Sequence, residues 1–116
     1  MTAMFDQLTS LVKEMIAMYP EDDTFPFYLT TISLMKNTNP AMFVKYINDN
    51  IGPFENQILK KDETFFLGKS FDEYDGHFDL NIFSKLKEYI VGMSTASKES
   101  VWQYTINIMR LAQACR

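Results

Sequence analysis

His77 stands between two carboxylates, Asp75 and Asp79, and is the only histidine in the chain. An imidazole oriented by a carboxylate is a common general base, so proton-transfer chemistry would have to start here. That chemistry also needs a nucleophile within hydrogen-bond reach and a pocket where all three groups converge. No serine or threonine beside His77 falls in a strained turn that would present one. The flanking acids instead favour the charged imidazolium.

Metal chemistry is no better supported. With Cys115, His77 makes only two ligands of the Cys/His type, too few for a zinc tetrahedron. Asp75-Gly76 invites comparison with a calcium-binding loop. Placing Gly76 at the sixth position puts Phe71 at the first and Ile82 at the twelfth, where carboxylates are required. Gly68-Lys69-Ser70 has the form of the end of a phosphate-binding loop, but Glu63 occupies the position of the earlier glycine. The sequence therefore predicts no catalytic residue, no metal and no cofactor, and the protein is expected not to be an enzyme.

The elements around these residues are helical. In the last third, Phe83, Leu86, Ile90 and Met93 recur at helical spacing. A small polar break, Ser94-Thr95-Ala96-Ser97, follows. Val101, Trp102, Thr105, Ile108, Met109 and Ala112 then form a second stripe. A short connection between two such stripes predicts an antiparallel helical hairpin. Upstream, Met4, Phe5, Leu8, Leu11, Val12, Met15, Ile16 and Tyr19 mark a helix over 3–19, ended by Pro20. Thr24 is expected to cap a second helix to about Lys36, with Pro26 in its first turn and Phe25, Tyr28, Leu29, Ile32 and Met35 inward.

Asn39-Pro40 repeats that start signal for a third helix carrying Met42, Phe43, Tyr46, Ile47 and Ile51. Gly52-Pro53 stops it and opens a fourth, with Phe54, Ile58 and Leu59 inward, ending near Lys61. Asp62 caps one more turn through Phe65-Phe66-Leu67, closed by Gly68, and residues 68–79 read as the longest loop. The expectation is an all-α, compact bundle of five to six helices in a single domain, 1–116, ending in the hairpin.

Composition narrows the function classes. The chain has 116 residues with 47% hydrophobic and 15% aromatic content, enough for a core without disulfides. Its net charge is -4. The imbalance lies in the first half, where Asp6, Glu14, Glu21, Asp22, Asp23, Asp49 and Glu55 face only Lys13, Lys36 and Lys45. Nucleic-acid binding draws most of its affinity from a cationic face, so direct binding is disfavoured. No apolar run approaches the ~20 residues needed to span a bilayer, and no secretory signal is visible. A lone cysteine suits a reducing compartment.

Eight Met and ten Phe are a surplus that serves core filling and also marks contact surfaces. Two adjacent apolar residues cannot share one helix face, so one of Phe65 and Phe66 is expected to look outward. Tyr104 lies off the main stripe, two residues after Trp102. Phe65, Phe66, Trp102 and Tyr104 are therefore the interface candidates, with Trp102 also read as a core anchor.

The segments Ala41-Met42-Phe43-Val44-Lys45-Tyr46, Ile58 to Leu67 and Lys98-Glu99-Ser100-Val101-Trp102-Gln103-Tyr104 resemble a group of small helical proteins of large nucleocytoplasmic DNA viruses of algae and amoebae. In that group an Asp-Glu-x-Phe-Phe-Leu step precedes an acidic loop, and a closing helix carrying Trp-x-Tyr follows a Lys-rich one. The resemblance covers residues 40 to 112. It departs at Ile90, where the group has an aromatic, often Trp. It implies no catalytic residues. It implies a viral protein located in the virion or in the cytoplasm or nucleus of the infected host. The surplus of Phe and Met without any reactive constellation makes the expected function that of a non-enzymatic helical protein–protein interaction module, a viral structural or virion-associated protein docking on capsid or other virion proteins. Homo-oligomerisation is compatible with it. The alternative is a regulator that binds host or viral transcription, translation or repair machinery.

Overall fold

The computed structural model describes residues 2–65 and 82–115. Six α-helical segments run through them: α1 (Thr2–Met18), α2 (Thr24–Thr38), α3 (Pro40–Asn50), α4 (Glu55–Leu59), α5 (Ile82–Tyr89) and α6 (Thr95–Ala114). Short 3-10 turns, Gly52–Phe54 and Ile90–Gly92, lead into α4 and out of α5. No strand occurs among the described residues. The protein is an all-α bundle.

The helix ends differ instructively from those the sequence predicts. Thr24 is not the cap of α2 but its first residue. Asp22 Oδ1 takes the Thr24 N–H at 3.0 Å, one turn-forming step earlier. Asn39 precedes Pro40 without a side-chain capping bond, and its amide instead reaches the Met42 sulfur. At Gly52 the chain tightens from α3 into a 3-10 turn rather than reversing through a left-handed residue.

Two other ends are well defined. The Ser94 hydroxyl accepts the Ser97 N–H at 3.1 Å and caps α6, so the small polar break is the first turn of that helix. The end of α4 near Lys61 is a Schellman turn. The Asp62 N–H bonds to the Gln57 carbonyl and the Lys61 N–H to that of Ile58, both at 3.0 Å. Lys61 fills the left-handed position with φ 55°, where glycine is the usual occupant. Asp62 Oδ1 then accepts the Thr64 N–H at 3.0 Å, and the chain re-enters helix toward Phe65.

Packing is organised around α1, which lies against both α2 and α6. Its stripe of Met4, Phe5, Leu8, Leu11, Val12 and Met15 is fully buried. The chain closes with two helices joined by a short turn. Along its length, however, α6 has α1, α3 and α4 as its close backbone neighbours rather than the preceding α5. Every residue of the two C-terminal stripes is nonetheless buried, from Phe83 to Ala112. Polar links follow the same pattern. Asn107 donates to Gln7 at 2.9 Å, Tyr104 to Glu14 at 3.4 Å, Gln113 to Glu55 at 3.1 Å and Asn48 to the Ala112 carbonyl at 3.0 Å. Ion pairs Lys61–Glu99 and Lys98–Glu63 clasp the segment after α4 to the start of α6. By contrast α2 packs mainly on α1, briefly on α3 and through Phe25 on Tyr89 of α5, and it leaves Phe27 and Leu34 exposed.

Candidate functional site

Of the four residues expected at a partner surface, two are elsewhere. Phe65 and Trp102 are 1% and 2% exposed, their rings 6.5 Å apart, and Phe54 lies 5.7 Å from Phe65 on its other side. Both rings are walls of the core and offer nothing to a partner. The reason is the helical re-entry at Thr64, which turns Phe65 onto α6. Tyr104 is half-buried against α1, and its hydroxyl reaches Glu14. Burial raises its pKa, and the Glu14 charge adds to this. Phe66 lies outside the described residues, as do His77, Asp75, Asp79 and Gly68-Lys69-Ser70. Cys115 is half-buried at the end of α6.

Two features remain as places where chemistry or recognition could occur. The first is the turn between α1 and α2. A cleft of about 570 Å³ opens there, lined by Met18 to Asp23 and by Tyr89 of α5. Tyr19 and Tyr89 stack with centroids 4.0 Å apart, and Phe25 approaches Tyr89 at 5.9 Å. The Asp22 carboxylate is the hub. Besides Thr24, it accepts the Tyr89 hydroxyl and pairs with Lys85 at 3.0 Å. Lys85 also pairs with Glu88 at 3.2 Å and lies 5.7 Å from the Tyr89 ring centre.

The Tyr89 hydrogen bond, followed by the Thr24 N–H, holds the Asp22 carboxyl well below the usual carboxylate range. The same bond raises the Tyr89 pKa. Burial presses the Lys85 pKa down, but its bonds to Asp22 and Glu88 outweigh this and raise it. Each charge here already has its partner, and the rings are stacked on one another. The cluster is a clasp that fastens α5 to the α1–α2 turn, and a carboxylate whose pKa is lowered by bonds already made is a poor acid or base near neutral pH. No group of three potential metal ligands comes together among the described residues.

The second feature is the outer face of α2. Phe27 is 53% exposed and Leu34 47%, seven residues apart and so on one line along the helix. Met42, expected inward, is 37% exposed where α3 begins beyond the end of that line. Between and around them stand Pro26, Thr30, Ser33, Asn37, Thr38 and Ala41, all exposed and uncharged. From Thr24 to Val44 the one ionisable charge is Lys36, which turns away to pair with Asp6 of α1 at 3.8 Å. The outward faces of α1, α3, α5 and α6 each carry charges, such as Lys13, Lys45, Glu88 and Glu99.

The polar side chains of α2 bond back onto their own helix. Thr38 reaches the Leu34 carbonyl at 2.7 Å, Asn37 that of Ser33 at 3.0 Å and Thr31 that of Phe27 at 3.2 Å. Asn37 and Thr38, the exposed members of this set, therefore lose less when water is removed from them. Comparison with protein-family models, curated protein sequences and solved structures finds no match to this chain.

The sequence itself carries a signal for this face. Phe27 and Leu34 lie off the inward stripe of Phe25, Tyr28, Ile32 and Met35, so α2 is apolar on two sides. A helix apolar on two sides is either buried all round or waiting for a neighbour. The absence of charge over 37–44 and 24–35 is the second half of the same signal.

Proposed function

We propose that the protein is a non-enzymatic helical docking module that works by protein–protein contact through the outer face of α2. Depletion of charge with exposed aromatic, Leu and Met side chains is the composition of an interface centre. Phe27 is the anchor, since large aromatic side chains contribute most where they are fully desolvated. The single observation that carries this reading is the uncharged, half-exposed line of Phe27 and Leu34 along α2. The resemblance of residues 40 to 112 to small proteins of large DNA viruses supports placing the module in viral particle assembly, with capsid or other virion proteins among its partners.

A photoreactive amino acid placed at Leu34, and separately at exposed Lys13 of α1, tests the reading in cells that make the protein. Covalent adducts from position 34, absent from position 13 and suppressed by Phe27→Asp, are expected. No adduct at 34, or equal yields at both positions, refutes it.

A further inference from the structure

We infer that α5 is a latched flap: it leaves the bundle as one unit while α1 to α4 and α6 stay folded, and the Asp22 clasp holds it shut.

The other five helices form a continuous set. α1 lies against α2 and α6, α3 against α6 and α2, and α4 against α6. The close backbone neighbour of α5 is instead the turn Ile90–Gly92 that follows it. Side chains attach α5 to the bundle. Ile82, Phe83 and Leu86 are buried, and Lys85 and Tyr89, one helical turn apart, both reach Asp22 in the α1–α2 turn. Tyr89 also stacks on Tyr19. Eight residues are fewer than a helix needs to persist alone in water, so α5 loses its structure whenever it loses these contacts. Its opening is therefore all-or-none. Asp22 and Tyr89 line the open cleft, so water replaces each partner as the clasp parts and neither polar group is stranded.

The pivot lies at Val91-Gly92. Gly92 has no positive φ, and a Cβ added there would meet nothing within 4 Å, so the closed structure makes no demand for glycine. Its freedom counts only once the turn rotates. Val91 beside it is exposed and adds no packing that would resist the rotation. On the far side Met93 is buried and extended, and Ser94 caps α6, so α6 keeps its own first turn without α5.

Native-state hydrogen exchange on the full chain, followed by NMR in low urea, tests this. Amides of residues 86–89 should exchange about a hundredfold faster than those of Leu11 to Met15 in α1, with one shared urea dependence shallower than theirs. Asp22→Asn keeps the acceptor for Thr24 and Tyr89→Phe keeps the stack, and each should quicken 86–89 by about fivefold or more. Asn107→Ala removes the bond from α6 to Gln7, and should quicken the α1 amides several-fold while leaving 86–89 at the wild-type rate. Gly92→Ala should slow 86–89 by about two- to fivefold, whereas Gly52→Ala, equally free of clashes, should not. Exchange of 86–89 at the rate and urea slope of α1 overturns the inference, since α5 then opens only with the whole molecule. Fraying of 86–89 one residue at a time, with no common slope, overturns it as well. So does a response of 86–89 to Asn107→Ala or Gly52→Ala that matches the response of α1. No response to the clasp variants or to Gly92→Ala removes the latch or the pivot, and the flap with it.

Discussion

Truncating Trp102 distinguishes a core ring from a surface one. Its side chain is 2% exposed and meets Phe65 across the join between α6 and the segment after α4. An indole buries on the order of 200 Å², which at about 25 cal/mol per Å² corresponds to ~5 kcal/mol of transfer free energy. Alanine keeps a small part of that area, which reduces the loss to roughly 3–4 kcal/mol. Unfilled space beside Phe65 and Val101 restores some of it, because their backbones are held by helices that cannot collapse inward. Trp102→Ala should therefore lose about 4 kcal/mol, within the range for Trp truncation in cores.

Total stability for a domain of this length is on the order of 6–15 kcal/mol, so the variant stays folded but melts about 10–20 °C lower. Urea unfolding followed by circular dichroism measures the change, with Trp102→Phe as a volume control losing only ~1–2 kcal/mol. A loss under about 1 kcal/mol for Trp102→Ala, at an unchanged m-value, would refute the core placement and restore the indole as a surface group.

Ser94→Ala should lower stability by about 1 kcal/mol through loss of the α6 cap, and Ser94→Asp should retain it in thermal melts. Lys61→Gly should raise stability by roughly 0.5–1 kcal/mol in the same assay, since a left-handed residue is relieved of its Cβ while only a surface ion pair is lost. Asp22 has a folded-state pKa below its unfolded one, so its contribution is fully present above the unfolded value of about 3.9 and is lost as pH falls toward the folded value. Urea midpoints taken from pH 7 down to pH 3 should therefore drop more steeply for wild type than for Asp22→Asn, and parallel curves would remove Asp22 from the account.

Where one face of a helix had to be buried, the sequence was legible. Phe83, Leu86, Ile90 and Met93, and Val101 to Ala112, are all in the core at the spacing expected of them, and so is the α1 stripe from Met4 to Met15. Periodicity reports local geometry, and local geometry decides which side of each helix is apolar. It does not report which helix covers that side, so α6 turned out to lie along α1, α3 and α4. Capping failed for a related reason. The cap position falls on Asp23, which makes no side-chain capping bond, and the Tyr89 and Lys85 partners that hold its neighbour Asp22 are more than 60 residues away in the chain. The interface candidates went astray through the same blindness to tertiary neighbours: Phe65 and Trp102 were attractive because they are large and aromatic, which is also why they fill the core. Leu59 illustrates the converse, expected inward and 41% exposed at the end of a five-residue helix too short to bury two faces.

The embrace of α1 by α6 bears on how the molecule is made. Gln7 and Asn107 are bonded across 100 residues of chain, and Glu14 and Tyr104 across 90. A ribosome adding roughly 5–20 residues per second needs on the order of 10 s to travel that far. Throughout that interval Phe5, Leu8 and Val12 have emerged without the surface that is to shield them. The nascent chain must therefore lodge its first helix provisionally, against α2 or a chaperone, and complete its interior only when the last helix arrives.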